Sequence, residues 1–234
     1  MITDRALKIL EATVQEFIET GEPVSSAKLF NNYDFGIRPA MIRCELEGLA
    51  QLGFLEHPYH SAGRIPSDKG YELFAQHIIS QPNQKASLED ETISNLFEKK
   101  AWMELLETIS SKLGIFGILC EHENIHKNGL QNLVERLEWE TRDEIKAIIR
   151  DVVEIDSRLG TIEKIVVEET PEVFIGKKNE ITTSKNLAVI GGSYETDGIR
   201  VMMFAIGPKR MDYKKTLKIF KNLKRSRKII DKNR

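Results

Sequence analysis

Arg38, Met41, Arg43 and Glu45 lie within one short stretch of the chain, and all have side chains able to read the edges of base pairs. Arginine donates a fork of hydrogen bonds to guanine O6 and N7 or to phosphate, methionine packs on a thymine methyl, and glutamate accepts from a cytosine amine. Cys44 falls in the same stretch. Upstream, Ser25, Ser26 and Lys28 open a segment whose hydroxyls, ammonium and backbone N–H groups suit a phosphate. Downstream, His60-Ser61-Ala62-Gly63-Arg64 joins small residues to an arginine suited to a minor groove or a phosphate. Each residue taken singly has a plainer use. A lone arginine is more often a solvated helix residue, Glu45 could as well hold an arginine in place, and Ser25 or Ser26 could be a helix cap. The order of the elements that carry them strengthens the DNA reading.

Those elements are legible. Thr3 suits the N-cap of a helix reaching about Thr20, with Leu7, Leu10, Val14, Phe17 and Ile18 at helical spacing and Gly21 ending it. Pro23 and Ser25 mark a short helix to about Phe30, followed by a turn around Asn31-Asn32. Pro39 fits the first turn of a third helix, whose Ile42, Leu46 and Leu49 share a packing face and which stops at Gly53. Phe54-Leu55 begins a strand, Ser61-Ala62-Gly63 supplies a turn, and Arg64-Ile65-Pro66 returns. Ser67 or Asp68 then starts a helix containing Tyr71, Phe74 and Ile78. Helix, short helix, turn, helix and hairpin in this order predict a winged helix-turn-helix, a device for binding duplex DNA.

The chain has 234 residues, enough for one large domain or two modest ones. It holds no apolar run long enough to span a membrane. The opening MITDRALKILEATVQEF carries acidic residues among its apolar ones and lacks a small-residue cleavage site, so no signal peptide is expected. Two distant cysteines, Cys44 and Cys120, fit a reducing, cytoplasmic setting. The formal net charge of −2 argues against indiscriminate coating of nucleic acid. From Lys209 onward, however, twelve Lys or Arg stand against two Asp. That basic end suits either phosphate contact or the solvated face of a terminal helix, and the apolar stripe Leu217, Phe220, Leu223 favours the helix.

Gln81–Gln84, with Pro82 and Asn83, marks a linker. The periodicity beyond it predicts a helix over Leu88–Leu113, a strand over Gly114–Cys120 and a helix over Asn132–Leu159. Strands are expected at Lys164–Val167, Glu172–Ile175, Leu187–Tyr194 and Ile199–Ile206, the last two joined through Glu195-Thr196-Asp197-Gly198, and a helix at Tyr213–Arg225. The fold class expected is α+β. The domains expected are a winged helix-turn-helix over 1–80, a linker and helical segment over 81–101, an α+β domain over 102–225 and a basic tail over 226–234. Trp102 and Trp139 sit on helical stripes and read as core, and Gly191-Gly192 as a point of close packing in a strand.

Rival chemistries are weaker. His122 and His126, beside Cys120-Glu121 and Glu123, have the spacing of two metal ligands on one helix, but no further Cys or His pair completes the set. No Gly-rich phosphate loop or nucleophile motif points to an enzyme, so neither catalysis nor a cofactor is expected. A ligand-sensing regulator with a different operator remains an alternative, as does a winged helix used for protein contacts.

GEPVSSAKL, AMIRCELEGLAQLGFLEHP and SAGRIPSDKGY resemble the N-terminal domain of the HrcA family of bacterial heat-inducible transcription repressors. GPKRMDYKKTLKIF resembles the same family's motif near the C-terminus, and NGLQNLVERLEWE and VFIGKKNEI resemble segments of its GAF-like domain. The resemblance implies a homodimeric repressor of chaperone genes on an inverted-repeat (CIRCE) operator, with the chaperonin GroEL as modulator. It also implies departures. This chain is shorter than typical members, and only Leu88–Ala101 stands where they carry a separate dimerisation domain. The segment Cys120–Asn128 is abbreviated, Arg38-Pro39 and Cys44 replace the usual Ser and Asn, and Lys178 replaces a Glu.

Overall fold

The computed structural model describes residues 2–59, 62–82, 87–137, 141–158, 170–176 and 181–223. The chain divides into two units, Met1–His77 and Ile78–Arg234, with the boundary inside the fourth helix. Local capping chemistry sets the helix limits of the first unit. Thr3 accepts from the Ala6 N–H to start α1 (Asp4–Thr20), and the Gly21 N–H closes it on the Phe17 carbonyl. Ser25 accepts from the Lys28 N–H at the start of α2 (Ser26–Asn32). Pro39 opens α3 (Pro39–Gln51), where its missing N–H costs nothing. Strands β1 (Leu55–Glu56) and β2 (Ile65–Pro66) pair antiparallel, Leu55 opposite Pro66, and α4 (Asp68–Ser80) follows.

The stripes at helical spacing meet in one core: Ile9, Leu10, Val14, Leu29, Ile42, Leu46, Leu49, Leu55, Tyr71 and Phe74 are buried. Each such side chain contributes about 1.5–3 kcal/mol relative to exposure. Two features differ from expectation. α2 continues through Asn32, and the loop between β1 and β2 is longer than a three-residue turn. Val24 also pairs antiparallel with Arg64, each N–H donating to the other's carbonyl at 2.8 Å. The segment ahead of α2 thus adds a one-residue third strand, too short to leave a pattern.

The second unit is α+β. α5 (Leu88–Glu98) and α6 (Trp102–Leu113) replace the single helix expected, because the chain breaks at Lys99–Ala101 with Lys100 at φ 55°. Then come β3 (Phe116–Glu121), β4 (Asn124–Asn128), α7 (Leu130–Glu135), α8 (Arg142–Val153), β5 (Glu172–Ile175), β6 (Leu187–Thr196), β7 (Ile199–Pro208) and α9 (Tyr213–Leu223). The helix expected over Asn132–Leu159 is therefore also divided, and α8 restarts on a Thr141–Glu144 capping box. The five strands form one antiparallel sheet in the order β4-β3-β7-β6-β5, and β6 turns into β7 through Asp197-Gly198.

One face of the sheet, with Phe116, Ile118, Cys120, Leu187, Val189, Met202, Phe204 and Ile206, packs on Leu133, Ile148, Val152 and Ile155 of the α7–α8 region. The alternate residues Leu119, Ile190, Val201, Met203 and Ala205 are buried as well. The central strands therefore read as continuous apolar runs rather than alternations. Trp102 is core, as expected, and donates from Nε1 to Glu121.

β4 stands where the histidine spacing would suit a metal-binding helix. His122 occupies the β3–β4 turn and His126 pairs opposite Leu119 within β4, so the helical spacing that would bring the two imidazoles together does not exist. Among the described residues no group of His, Cys, Asp and Glu is placed to hold a metal ion. Cys44 is exposed and Cys120 is buried, and the two do not form a disulfide. No helix among the described residues is long and apolar enough to cross a membrane. His60, Ser61, Trp139, the expected strand at Lys164–Val167, Lys178 and the basic tail lie outside the described residues.

Candidate nucleic-acid interface

α3 buries Ile42, Leu46 and Leu49. With roughly 100° of rotation per residue, its opposite face centres on Ala40, Cys44, Glu47 and Gln51, all exposed. Met41, 47% exposed, flanks this face on one side and exposed Arg43 on the other. Arg38 occupies the N-cap position, is exposed, and makes no capping bond through its side chain. Small Ala40 on the outward face was not anticipated; its position opposite Ile42 and Leu46 in the helical rotation is the signal that could have found it.

Three other residues expected at the interface are turned inward. Glu45 is half-buried and accepts from Arg5 of α1 at 2.8 Å from Nε and 2.7 Å from Nη2, so it fastens α3 to α1 and is not free to meet a cytosine. Lys28 places Nζ 3.1 Å from Glu16 and 3.3 Å from Thr20 Oγ1, both of α1. The physical reason is Glu16 itself: a carboxylate only 6% exposed requires a cation and donors, and Lys28 and Asn32 supply them. Arg64 is 9% exposed, paired with Glu47 of α3 and bonded to His57 Nδ1 at 2.6 Å, so it does not project from the hairpin. Ser25 serves as the α2 cap while remaining exposed, and Ser26 is half-buried.

Internal bonding thus sorts the cations of the first unit. Arg5, Lys28 and Arg64 are ion-paired, and Lys69 donates to the Leu52 carbonyl at 2.8 Å while lying over the Phe54 ring. Arg38, Arg43 and Lys8 are left without a partner among the described residues. Of these three, Arg43 stands on α3 and Arg38 at its N-cap.

The segment Gly63–Tyr71 has a mainly structural part that sequence reading did not assign. A Cβ on Gly63 would sit 2.5 Å from the Val24 carbonyl oxygen, so only glycine lets the strands ahead of and behind it meet. Ser67 Oγ donates to the Gly53 carbonyl and accepts from the Gly70 N–H, fixing α4 to the end of α3. The segment clamps the hairpin to the helices.

Glu16 makes one consequence measurable. Burial raises its pKa, but the hydrogen bonds from Asn32 and Lys28 outweigh that and hold the carboxyl below its ordinary 4.5. Burial and the Glu16 charge push the neighbouring Tyr33 hydroxyl up to about 12. A carboxyl depressed in the folded state stabilises above its ordinary pKa, and that contribution is lost as pH falls through the folded value. Glu16→Gln is therefore expected to cost about 1–2 kcal/mol near neutrality. The gap from wild type should narrow below pH 4.5. Urea unfolding across pH checks this, and a gap independent of pH would show that the charge contributes nothing.

A family model and the curated relatives agree on one family. The HrcA protein C terminal domain matches residues 71–217. A heat-inducible transcription repressor HrcA from Clostridium perfringens is 30% identical over 211 residues, covering 82% of this chain and 61% of that protein. Its counterpart from Alkaliphilus metalliredigens is 42% identical over 112 residues, covering 48% of this chain and 33% of that protein. The chain therefore spans less than two thirds of the length of these relatives. A crystal structure of a hypothetical protein, 18% identical, shares the fold at a TM-score of 0.79 over 97% of both chains. The match to more than half the chain, and the identity maintained over four fifths of it, establish that this chain belongs to the HrcA family.

Proposed function

We propose that this protein represses heat-inducible transcription by binding duplex DNA, with the first unit acting as a winged helix-turn-helix and α3 entering the major groove. The observation that carries the reading is the sorting of cations: folding engages Arg5, Lys28, Arg64 and Lys69 internally and leaves Arg38 and Arg43 unpaired among the described residues, beside exposed Ala40, Met41 and Cys44. An unpaired arginine on a helix face with small and apolar neighbours can reach guanine or phosphate without first breaking an ion pair. Membership of a family whose relatives are heat-inducible transcription repressors supports the same reading. Ser25 and Ser26 stand ready as flanking phosphate contacts, and His60 and Ser61, outside the described residues, are kept in this reading as further proposed contacts.

The second unit is read as a GAF-like domain that holds two copies of the chain on a two-fold, inverted-repeat operator, since such an operator requires a two-fold protein. The chaperonin GroEL enters this reading as a modulator, the cytoplasm as the place of action, and catalysis has no part in it. The domain limits in this reading are a DNA-binding domain over 1–80, a connecting helical segment over 81–101 and the GAF-like domain over 102–225. The test is fluorescence anisotropy on an inverted repeat, a half-site and a scrambled duplex at one salt concentration. Preference for the full repeat supports a dimeric repressor; equal affinity for all three refutes sequence-specific binding. Arg43→Ala is expected to cost about 1–3 kcal/mol on the operator and to relax the preference over scrambled DNA. Operator affinity unchanged in this variant would remove Arg43 from the interface.

A further inference from the structure

Arg64 is the single Lys or Arg of the segment from Leu55 to Pro66, and its guanidinium faces the protein. Its backbone pairs with Val24 ahead of α2, its Nη2 with Glu47 of α3, and its Nη1 with His57 at the start of the hairpin loop. Arginine nitrogens only donate, so His57 Nδ1 is the acceptor and its proton resides on Nε2. Nε is buried without a partner among the described residues, which places the whole group away from solvent. One residue therefore ties three segments, that of Val24 through its backbone and those of Glu47 and His57 through its side chain. Glu47 is 53% exposed on the outward face of α3, one turn beyond Arg43. Without Arg64 its carboxylate would stand uncompensated beside the arginine expected to meet DNA.

We infer that Arg64 is a positioning residue for DNA recognition: it sets the hairpin against α3 and neutralises Glu47, and it makes no contact with phosphate or base. The inference rests on the DNA-binding reading and assigns Arg64 a different part from the one its place in the hairpin suggests. A phosphate contact needs only a positive charge, which lysine supplies as well. A two-armed brace needs the planar fork, which lysine lacks.

The whole 234-residue chain is tested on the inverted-repeat duplex over a range of salt concentrations. Arg64→Lys is expected to weaken binding about tenfold with no change in the salt slope. Wild-type affinity in Arg64→Lys would overturn the inference. The charge-neutral double replacement Arg64→Met with Glu47→Gln is expected to keep the wild-type slope, whereas a slope reduced by about one unit would reveal a phosphate contact and overturn it. His57→Ala changes an exposed residue and keeps the question answerable if the Arg64 variants fail to fold. It is expected to lose affinity severalfold at constant slope, and unchanged affinity would count against the brace. Arg43→Ala serves as the reference: if wild type and Arg43→Ala bind operator and scrambled duplex alike, the DNA reading fails and this inference fails with it. A normal wild-type and Arg43→Ala response beside a contrary Arg64 response isolates the failure to Arg64.

Discussion

Gly70→Ala is expected to destabilise the N-terminal unit by more than about 4 kcal/mol, enough to leave it largely unfolded at ordinary temperature. A Cβ at Gly70 would lie 2.1 Å from the Phe54 carbonyl oxygen and 3.2 Å from its carbon. Backbone cannot swing aside as a side-chain end can. Phe54 is held by its N–H on the Leu49 carbonyl at 2.9 Å, and its own carbonyl accepts from Ser67 at 3.1 Å. Relief would require α4 to lift from the end of α3, breaking the Ser67–Gly53 and Lys69–Leu52 bonds and exposing Tyr71 and Phe74. Gly48→Ala in α3 is the control, because a Cβ there meets nothing within 4 Å. It should be neutral or stabilise by up to about 1 kcal/mol through helix propensity. Circular dichroism melts of the two variants decide the matter. A Gly70→Ala protein that melts with wild type would mean that α4 does not approach Phe54 this closely.

The contrast between those glycines indicates what the sequence made legible. Thr3, Ser25, Gly21 and Pro39 marked helix limits correctly because capping is settled within a few residues. Gly70 carried no local sign of its role, since Phe54 reaches it only after the chain has folded back. The interface divides in the same way. That α3 exposes Met41, Arg43 and Cys44 follows from the helical period of its buried residues, and Arg38 is exposed at its N-cap. That Lys28, Glu45 and Arg64 are engaged elsewhere depends on Glu16, Arg5 and Glu47, partners on other elements that no spacing rule identifies. In the second unit, β6 and β7 were visible as apolar runs, whereas β4 was missed. Its sequence NIHKN is polar because it lies at a sheet edge and is half-exposed or exposed along its length. Lys218, read as part of a solvated face, instead pairs at 2.9 Å with Asp90, which is 4% exposed, so α9 is tied to α5.

Asp151 is the least conspicuous residue with a large expected effect, a polar position of α8 whose side chain is 2% exposed. Its two carboxylate oxygens accept from the Thr183 N–H at 3.0 and 2.9 Å, from Thr183 Oγ1 at 2.8 Å and from the Ser184 N–H at 3.2 Å. Arg158 Nη1 completes the set at 2.7 Å and also donates to the Ile181 carbonyl. This arrangement fastens the segment leading into β6 onto α8, beside Ile181 and Leu187 in the core. Removing the carboxylate leaves the Thr183 and Ser184 N–H groups without their acceptor and the half-buried Arg158 guanidinium without its counterion, and each loss adds to the other. Asp151→Ala is expected to cost about 3–5 kcal/mol in urea unfolding. Asp151→Asn should recover part of that, because one amide oxygen can still accept while the charge is gone. An Asp151→Ala protein within about 1 kcal/mol of wild type would mean that solvent or relaxed backbone satisfies Thr183, Ser184 and Arg158 equally well, and the carboxylate would then not be what seats β6 on α8.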